Sequence, residues 1–299
     1  MYRPAELYKR IATRSGGFAM VAMDQRESLR TMMEEHAGEA VQDNALTAFK
    51  LAVVSALSPH ASALLIDDQF GLRPMLDAGA LHTACGLIVA ADALTQVPGE
   101  PVADTSIDES IDPADMKALG ASALKLLVIC QADGDPHARR DLVKRFVDRC
   151  HAGGLLALVE PVVRPPAAGT TGWERDQAIL HAAIELGGLG MDVYKAEVPM
   201  HGRGDPAEIE RRCRKMTEVL PCPWVVLSQG VTVEDFSGAV EAACRGGASG
   251  FLAGRAVWSD TLSAPDPATR VSEVSVPRLQ HLRETVERLA RPWTEVVGG

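Results

Sequence analysis

The stretch DVYKAEVP, Asp192 to Pro199, has a lysine at the centre of a run that otherwise reads as a buried strand. The other strand-like runs carry Val, Ile, Leu or Ala at such central places. Desolvating an ammonium group is expensive, so Lys195 needs either a partner or a chemical role. Side chains alternate along a strand, which puts Lys195 on one face with Val193 and Glu197, and Tyr194 and Ala196 on the other. Facing inward, its ammonium would lie among carboxylates and near Lys125. Burial and a nearby cation both disfavour the charged form and lower the pKa toward a nucleophilic amine. Such an amine attacks a ketone to form a Schiff base, and the iminium serves as an electron sink for breaking or making the adjacent C–C bond. Glu160, on the neighbouring strand, is placed to move the protons. The residues alone leave the alternative open, a structural ion pair of Lys195 with Glu160 or Glu197.

Further polar residues collect at the ends of strand-like runs. These are Asp24 in the first, Asp67, Asp68 and Gln69 in the second and Asp92 in the third. Lys125 follows in the fourth, Glu160 in the fifth, Ser228 and Gln229 in the seventh and Arg255 in the eighth. So many at one mouth read as a site. The last two runs, in LSQGV (227–231) and GASGFLAGRAVW (247–258), also bring glycines. Backbone N–H groups at Gly230 and Gly254 can approach a phosphate, with Arg255 supplying charge. Tight strand-to-helix turns would use glycines in the same places.

The elements that must position these residues alternate. Strands are predicted at 18–24, 63–69, 86–92, 123–130, 155–163, 193–199, 224–230 and 250–256. Amphipathic stretches such as VQDNALTAFKLAVVSAL, RRDLVKRFVDRCHAGG and EIERRCRKMTEVL lie between them, with apolar residues at i, i+3, i+4 and i+7. Eight such strands with crossover helices predict an α/β chain folded as a closed (β/α)8 TIM barrel, whose active site lies at the C-terminal ends of the strands. An open doubly wound sheet would typically place GxGxxG after its first strand, where this chain has AMDQRES. One domain is expected over 1–299, with an N-terminal lead-in (1–17) and a C-terminal helix and tail (268–299). The breaker-rich loops 164–174 and 201–208 are candidate lids or solvated connectors.

The 299 residues are 46% hydrophobic and carry a net charge of −10. This argues against nucleic-acid and anionic-membrane partners, and any positive pocket for an anionic substrate must be built locally. There is no basic-then-apolar leader and no apolar run near the length of a membrane span, so a soluble, cytoplasmic protein is expected. Six cysteines without CxxC spacing are expected to stay reduced, and eight dispersed histidines offer no HExxH or HxH pair. No metal site and no cofactor are expected.

GGFAMVAMDQRESLR, EPVVRPP, DVYKAEVP and GASGFLAGRAVW together resemble the metal-independent class I aldolases of the tagatose-1,6-bisphosphate aldolase family. Within it, the similarity is greatest to the sulfoglycolytic members, which act on 6-deoxy-6-sulfofructose 1-phosphate in sulfoquinovose degradation. It covers about residues 12–285, also through LSPHASALLIDDQF, CGLIVAAD and ALKLLVICQADGD. The resemblance implies a homo-oligomeric barrel acting on a small sugar phosphate or sulfosugar phosphate. It places the Schiff-base lysine at Lys195, the acid/base at Glu160 and a supporting lysine at Lys125. It also implies that Ser228, Gly230, Gly254 and Arg255 hold the phosphate of the dihydroxyacetone phosphate half. Asp24, Gln25 and Arg26 would line the mouth, with Gln69 and Arg73 contributing. Gln25, Arg26 and Arg73 are the expected holders of a distal sulfonate. Gln229 departs from the family's small Ser or Ala beside the phosphate loop. Cleavage of tagatose or fructose 1,6-bisphosphate is the alternative with the same chemistry. A non-catalytic sugar-phosphate sensor would be expected to lack Lys195 or Glu160, and both are present. The terminal RPWTEVVGG lies outside the resemblance and receives no role.

Overall fold

The computed structural model describes the chain except residues 1–2, 97–101, 168, 170, 265 and 299. Parts of the predicted lead-in, of loop 164–174 and of the tail therefore lie outside the described residues. Ten strands occur among the described residues: β1 (Phe18–Met23), β2 (Ala63–Ile66), β3 (Gly86–Ala90), β4 (Asp92–Thr95), β5 (Asp104–Ile107), β6 (Ala121–Gln131), β7 (Leu156–Arg164), β8 (Val193–Ala196), β9 (Trp224–Val226) and β10 (Gly250–Ala253). Eight of them close in the order β1-β10-β9-β8-β7-β6-β3-β2, and β4 and β5 form a separate two-stranded sheet. The ladders of the barrel are parallel, with Lys125 beside Leu158, Leu127 beside Glu160 and Lys195 beside Val225. The expected TIM barrel is the observed fold.

Period-two alternation explains both the core and the site. Met20 and Ala22, Ile88 and Ala90, Ala123, Leu156 and Leu158, and Val193 point inward and pack with one another. Residues of the other parity, such as Val21, Val89, Leu124, Val159 and Tyr194, pack outward in the layer between strands and helices. Two residues beyond the last member of this inner cluster, five barrel strands lead to a charge: Ala22 gives way to Asp24, Ala90 to Asp92, Ala123 to Lys125, Leu158 to Glu160 and Val193 to Lys195. One rung of the barrel is therefore polar, directly above an apolar stack.

The opposite end is plugged. Tyr8 and Ile11 of the helix Pro4–Ile11 are buried with this inner cluster, and Tyr8 stacks on Trp293 at 4.9 Å between ring centroids. Tyr8 Oη donates to the Asp192 carbonyl at 2.7 Å, and Trp293 N–H donates to the Gly16 carbonyl at 3.0 Å. Gly86 is required there, since a Cβ would lie 2.3 Å from the Arg10 carbonyl oxygen. The C-terminal tail thus closes the floor of the barrel, a role its sequence did not announce.

The expectations corrected concern strand ends and a hairpin. The seventh and eighth strands end at Val226 and Ala253 rather than 230 and 256, so Ser228, Gln229 and Arg255 lie just past them. The second strand ends at Ile66 rather than 69, because the Asp67 carboxylate accepts the Phe70 N–H at 2.7 Å and starts a π-helical turn, Asp68–Leu72. The sixth strand ends at Ala196, so alternation no longer governs Glu197. Its carboxylate accepts the Val163 N–H at 2.7 Å and Arg175 Nη2 at 2.9 Å, and does not share the Lys195 pairing. The hairpin β4–β5 was not foreseen; its registered pairs run from Asp92 with Ile107 to Thr95 with Asp104.

Candidate active site

The polar rung lines a cleft of ≈ 690 Å³ at the C-terminal mouth. Lys195 Nζ lies 2.9 Å from Glu160 Oε1, and both side chains are nearly buried. Glu160 Oε2 is 3.4 Å from Lys125 Nζ, so one carboxylate joins two lysines. Lys125 is also 2.6 Å from Asp24 Oδ2 and 2.8 Å from Asp92 Oδ2. Asp92 in turn accepts the Leu127 N–H at 3.0 Å, and its Oδ1 lies 3.1 Å from Arg26 Nη2. Arg26 Nη1 donates to the Asp92 carbonyl at 2.8 Å.

Burial alone would lower the Lys125 pKa, but Asp24, Asp92 and Glu160 raise it well above the usual lysine range. Burial likewise works to raise Asp24, yet Lys125 and Lys195 outweigh it and hold its carboxyl well below the usual carboxylate range. Lys125 is therefore a fixed ammonium whose three donors all meet carboxylates. Lys195 has one carboxylate partner, and that partner is where its proton can go. The structure separates the two lysines in a way their sequence positions do not.

Arg255 faces the same cleft. Among the described residues its guanidinium has no hydrogen-bond or ion-pair partner, and burial pushes its pKa down against the pull of Glu160 and Asp24. A half-buried, unpaired guanidinium is a ready anion site. Gly254, just before it, is packed so closely that a Cβ would lie 2.6 Å from the Ala22 carbonyl oxygen and 2.8 Å from Gln25 Nε2.

Of the residues singled out from sequence, Asp24, Gln25, Arg26, Lys125, Glu160, Lys195, Gln229 and Arg255 line the cleft. Ser228 lies buried behind it, 3.5 Å from the Ala256 N–H, and Gly230 lines an adjoining smaller pocket. Gln69 and Arg73 are not brought in: Gln69 is exposed, and Arg73 pairs with Asp68 at 3.6 Å on the outer side. The π-helical turn that ends β2 carries them away from the mouth.

Sequence reasoning missed four kinds of contributor. Asp92 was seen at a strand end without a role, yet it links Arg26 to Lys125. Arg164 lines the cleft from the end of β7, on the Glu160 face, and the period-two count would have found it. Leu94 and Val102 come from the unforeseen hairpin and its connection. Lys50, buried in the helix Asp43–Leu57, donates to the Met23 carbonyl at 2.8 Å, to the Gln25 carbonyl at 2.7 Å and to Asp67. It fixes the backbone on both sides of Asp24. All six cysteines are free and buried, burial pushing the Cys130 thiol up to about 12, so none offers a thiolate. No helix among the described residues is long and apolar enough to cross a membrane.

Fold and site together define a (β/α)8 barrel enzyme with a charged layer at its C-terminal mouth. A family model described as DeoC/LacD family aldolase matches residues 18–260. The chain belongs to this family and is an aldolase, an aldehyde-lyase. It is 27% identical over 276 residues to tagatose 1,6-diphosphate aldolase of Listeria monocytogenes serotype 4b, covering 84% of this chain and 80% of the relative. It is 24% identical over 327 residues to tagatose 1,6-diphosphate aldolase 2 of Streptococcus mutans, covering 96% and 95%. Among solved structures it resembles fructose-bisphosphate aldolase from Plasmodium falciparum, with a TM-score of 0.70, 15% identity and coverage of 96% and 95%. A Schiff base-forming fructose-1,6-bisphosphate aldolase matches with a TM-score of 0.64 at 19% identity, covering 95% and 100%. These structural likenesses bear on the fold.

Proposed function

We propose that the protein is a class I, Schiff-base aldolase that cleaves 6-deoxy-6-sulfofructose 1-phosphate to dihydroxyacetone phosphate and 3-sulfolactaldehyde, and runs the reverse condensation. The observation that carries the chemistry is the contact of Lys195 Nζ with Glu160 Oε1 at 2.9 Å, in a cleft where Lys125 is held as a cation. Lys195, having passed its proton to Glu160, adds to the C2 carbonyl. Loss of water leaves a protonated Schiff base. Removal of the C4 hydroxyl proton breaks the C3–C4 bond; the electron pair enters the iminium and the aldehyde half leaves. Protonation of the resulting enamine at C3 and hydrolysis return the free amine and dihydroxyacetone phosphate. Glu160 is the acid/base nearest these events. The Lys125 ammonium, fixed by three carboxylates, stabilises negative charge developing on a substrate oxygen without reorganising.

The similarity of the sequence to sulfoglycolytic members supports the sulfonated substrate. A second reading, cleavage of tagatose or fructose 1,6-bisphosphate, is favoured by the tagatose 1,6-diphosphate aldolases among the relatives. The deciding experiment has two parts. Borohydride trapping with dihydroxyacetone phosphate, followed by intact mass, tests the Schiff base, with the adduct expected in the wild type and absent in Lys195→Ala. Relative kcat/KM for the sulfonated and bisphosphorylated ketoses then chooses the substrate. The same resemblance supports a cytoplasmic homo-oligomer, whose mass light scattering of the purified protein would give.

A further inference from the structure

A six-carbon substrate with an anion at each end needs two cationic holders, and the cleft contains two whose charge is not already spent. Five basic side chains line it, against three acidic ones, in a chain whose overall charge is −10. Lys195 is paired with Glu160, Lys125 with three carboxylates and Arg26 with Asp92. Arg26, expected to hold a distal sulfonate, is held by both terminal nitrogens at Asp92. The remaining two are Arg255 and Arg164. Among the described residues Arg164 has no ion pair, only a long 3.4 Å contact to its neighbour's carbonyl.

Arg164 also occupies a boundary. Together with Pro165 and Gln229 it lines both the main cleft and an adjoining pocket of ≈ 230 Å³. Gly230, His201, Trp173 and one carboxylate, Glu197, also line that pocket; Glu197 is engaged by the pocket's other arginine, Arg175, at 2.9 Å and by the Val163 N–H at 2.7 Å. The wall is held in place: Met200 N–H donates to both Asp176 oxygens, at 3.0 and 3.1 Å. Met200 and His201 adopt φ of 55° and 52°, a conformation that costs about 1–3 kcal/mol and persists only where its surroundings enforce it. The His201 ring lies against Gly230, where a Cβ would be 2.6 Å from Nδ1.

The positions around the barrel agree with this. Lys195 is on β8; Arg255 follows β10, two strands away on one side, while Arg164 ends β7, next to β8 on the other. Arg26 follows β1, and its guanidinium is held at Asp92, just past β3, away from β8. Arg164 is four residues past Glu160 on the same face, about 13 Å along the strand at about 3.3 Å per residue. An extended substrate chain and the arginine side chain reach across that gap together.

We propose that this side pocket is the distal-anion subsite of the cleft. It takes the tetrahedral oxyanion at the end of the substrate remote from the Schiff base. Arg164 supplies the charge, and the Gln229 amide and His201 ring supply hydrogen-bonding groups. The proposal rests on the Schiff-base reading of the cleft. It gives Gln229 a purpose, since an amide there donates to an oxyanion without adding charge.

The test compares kcat/KM of wild type and Arg164→Gln on three ketoses: fructose 1-phosphate, which has no distal anion, 6-deoxy-6-sulfofructose 1-phosphate and tagatose 1,6-bisphosphate. The expected loss is 10–100-fold larger for the substrates with a distal anion than for fructose 1-phosphate, and Arg164→Lys recovers part of it. Gln229→Ser is expected to move the sulfonate-to-phosphate ratio toward the bisphosphate. An equal loss on all three ketoses, or no loss on any, overturns the subsite. An unchanged ratio in Gln229→Ser overturns the part assigned to the amide. Borohydride trapping of dihydroxyacetone phosphate by the same Arg164→Gln sample shows that the variant is folded. Absence of that adduct from the wild type would instead refute the Schiff-base reading itself.

Discussion

Lys50 and Lys195 are both buried lysines facing carboxylates, and they do opposite things. The Lys50 ammonium lies between helix and barrel, where its donors go to the carbonyls of Met23 and Gln25 and to Asp67. An ammonium has three N–H donors, so nothing is left over, and Lys50 lines none of the described pockets. Lys195 has one carboxylate at 2.9 Å and opens onto a ≈ 690 Å³ cleft. Lys125 falls between the two: it borders the cleft, but its donors are all engaged by carboxylates. Burial therefore does not distinguish a structural lysine from a reactive one. What distinguishes them is whether donors and adjacent space remain for a ligand.

The largest loss is expected at Lys195. Lys195→Ala should lose the dihydroxyacetone phosphate adduct and reduce turnover on the order of 10⁵–10⁶-fold, the scale of removing a covalent nucleophile. An adduct that survived in this variant would transfer the role to Lys125 and undo the donor-count argument. Next, Glu160→Gln keeps the shape but removes the proton acceptor shared by the two lysines, and turnover should fall roughly 10²–10⁴-fold. Wild-type turnover in that variant would reduce Glu160 to a structural partner.

Lys50→Met is expected to cost stability rather than chemistry. The side chains are similar in length, but Asp67 is left as a buried carboxylate without its cation, and the Met23 and Gln25 carbonyls lose their donor. Breaking a buried pair from one side costs about 3–5 kcal/mol, so the unfolding free energy in urea should drop by that much. Folded Lys50→Met protein should still form the adduct with dihydroxyacetone phosphate. A loss of adduct without loss of stability would make Lys50 part of the chemistry after all.

Much of this was legible in the sequence because alternation has one rule with few exceptions. Counting by two from the apolar runs gives the inward faces, and the same count reaches Asp24, Lys125, Glu160 and Lys195. Past a strand's end the count no longer decides. Asp24, Asp67 and Glu197 all keep the inward parity one residue past their strands, but the Asp67 and Glu197 carboxylates turn to a backbone N–H and to a cation outside the main cleft, Lys50 and Arg175. The same break carried Gln69 and Arg73 out of the site. The hairpin after β3 was missed because DALT and DTSI are short, half-polar runs with none of the apolar density of the barrel strands. Lys50 was missed because one lysine on a helix gives no hint that its end is buried. The tail was missed because the contact between Trp293 and Tyr8 joins opposite ends of the chain.

The smallest expected effect separates the two unpaired arginines of the cleft. Arg255 follows β10, on the side of the barrel where the Schiff-base end of the substrate would carry its phosphate. Arg164 lies on the other side of Lys195. Removing a hydrogen bond to a charged group costs about 1.5–3 kcal/mol, or roughly 10- to 150-fold in binding. Arg255→Ala should impose that loss on every substrate with the dihydroxyacetone phosphate half, including dihydroxyacetone phosphate alone in the borohydride assay. The concentration giving half-maximal trapping should rise accordingly, while a saturating concentration still labels the protein. Because the half-substrate has no distal group, the Arg164 subsite is not engaged in this measurement. If Arg255→Ala left half-maximal trapping where it is while weakening only ketoses with a distal anion, the two arginines would exchange ends. The substrate would then lie in the cleft in the reverse direction.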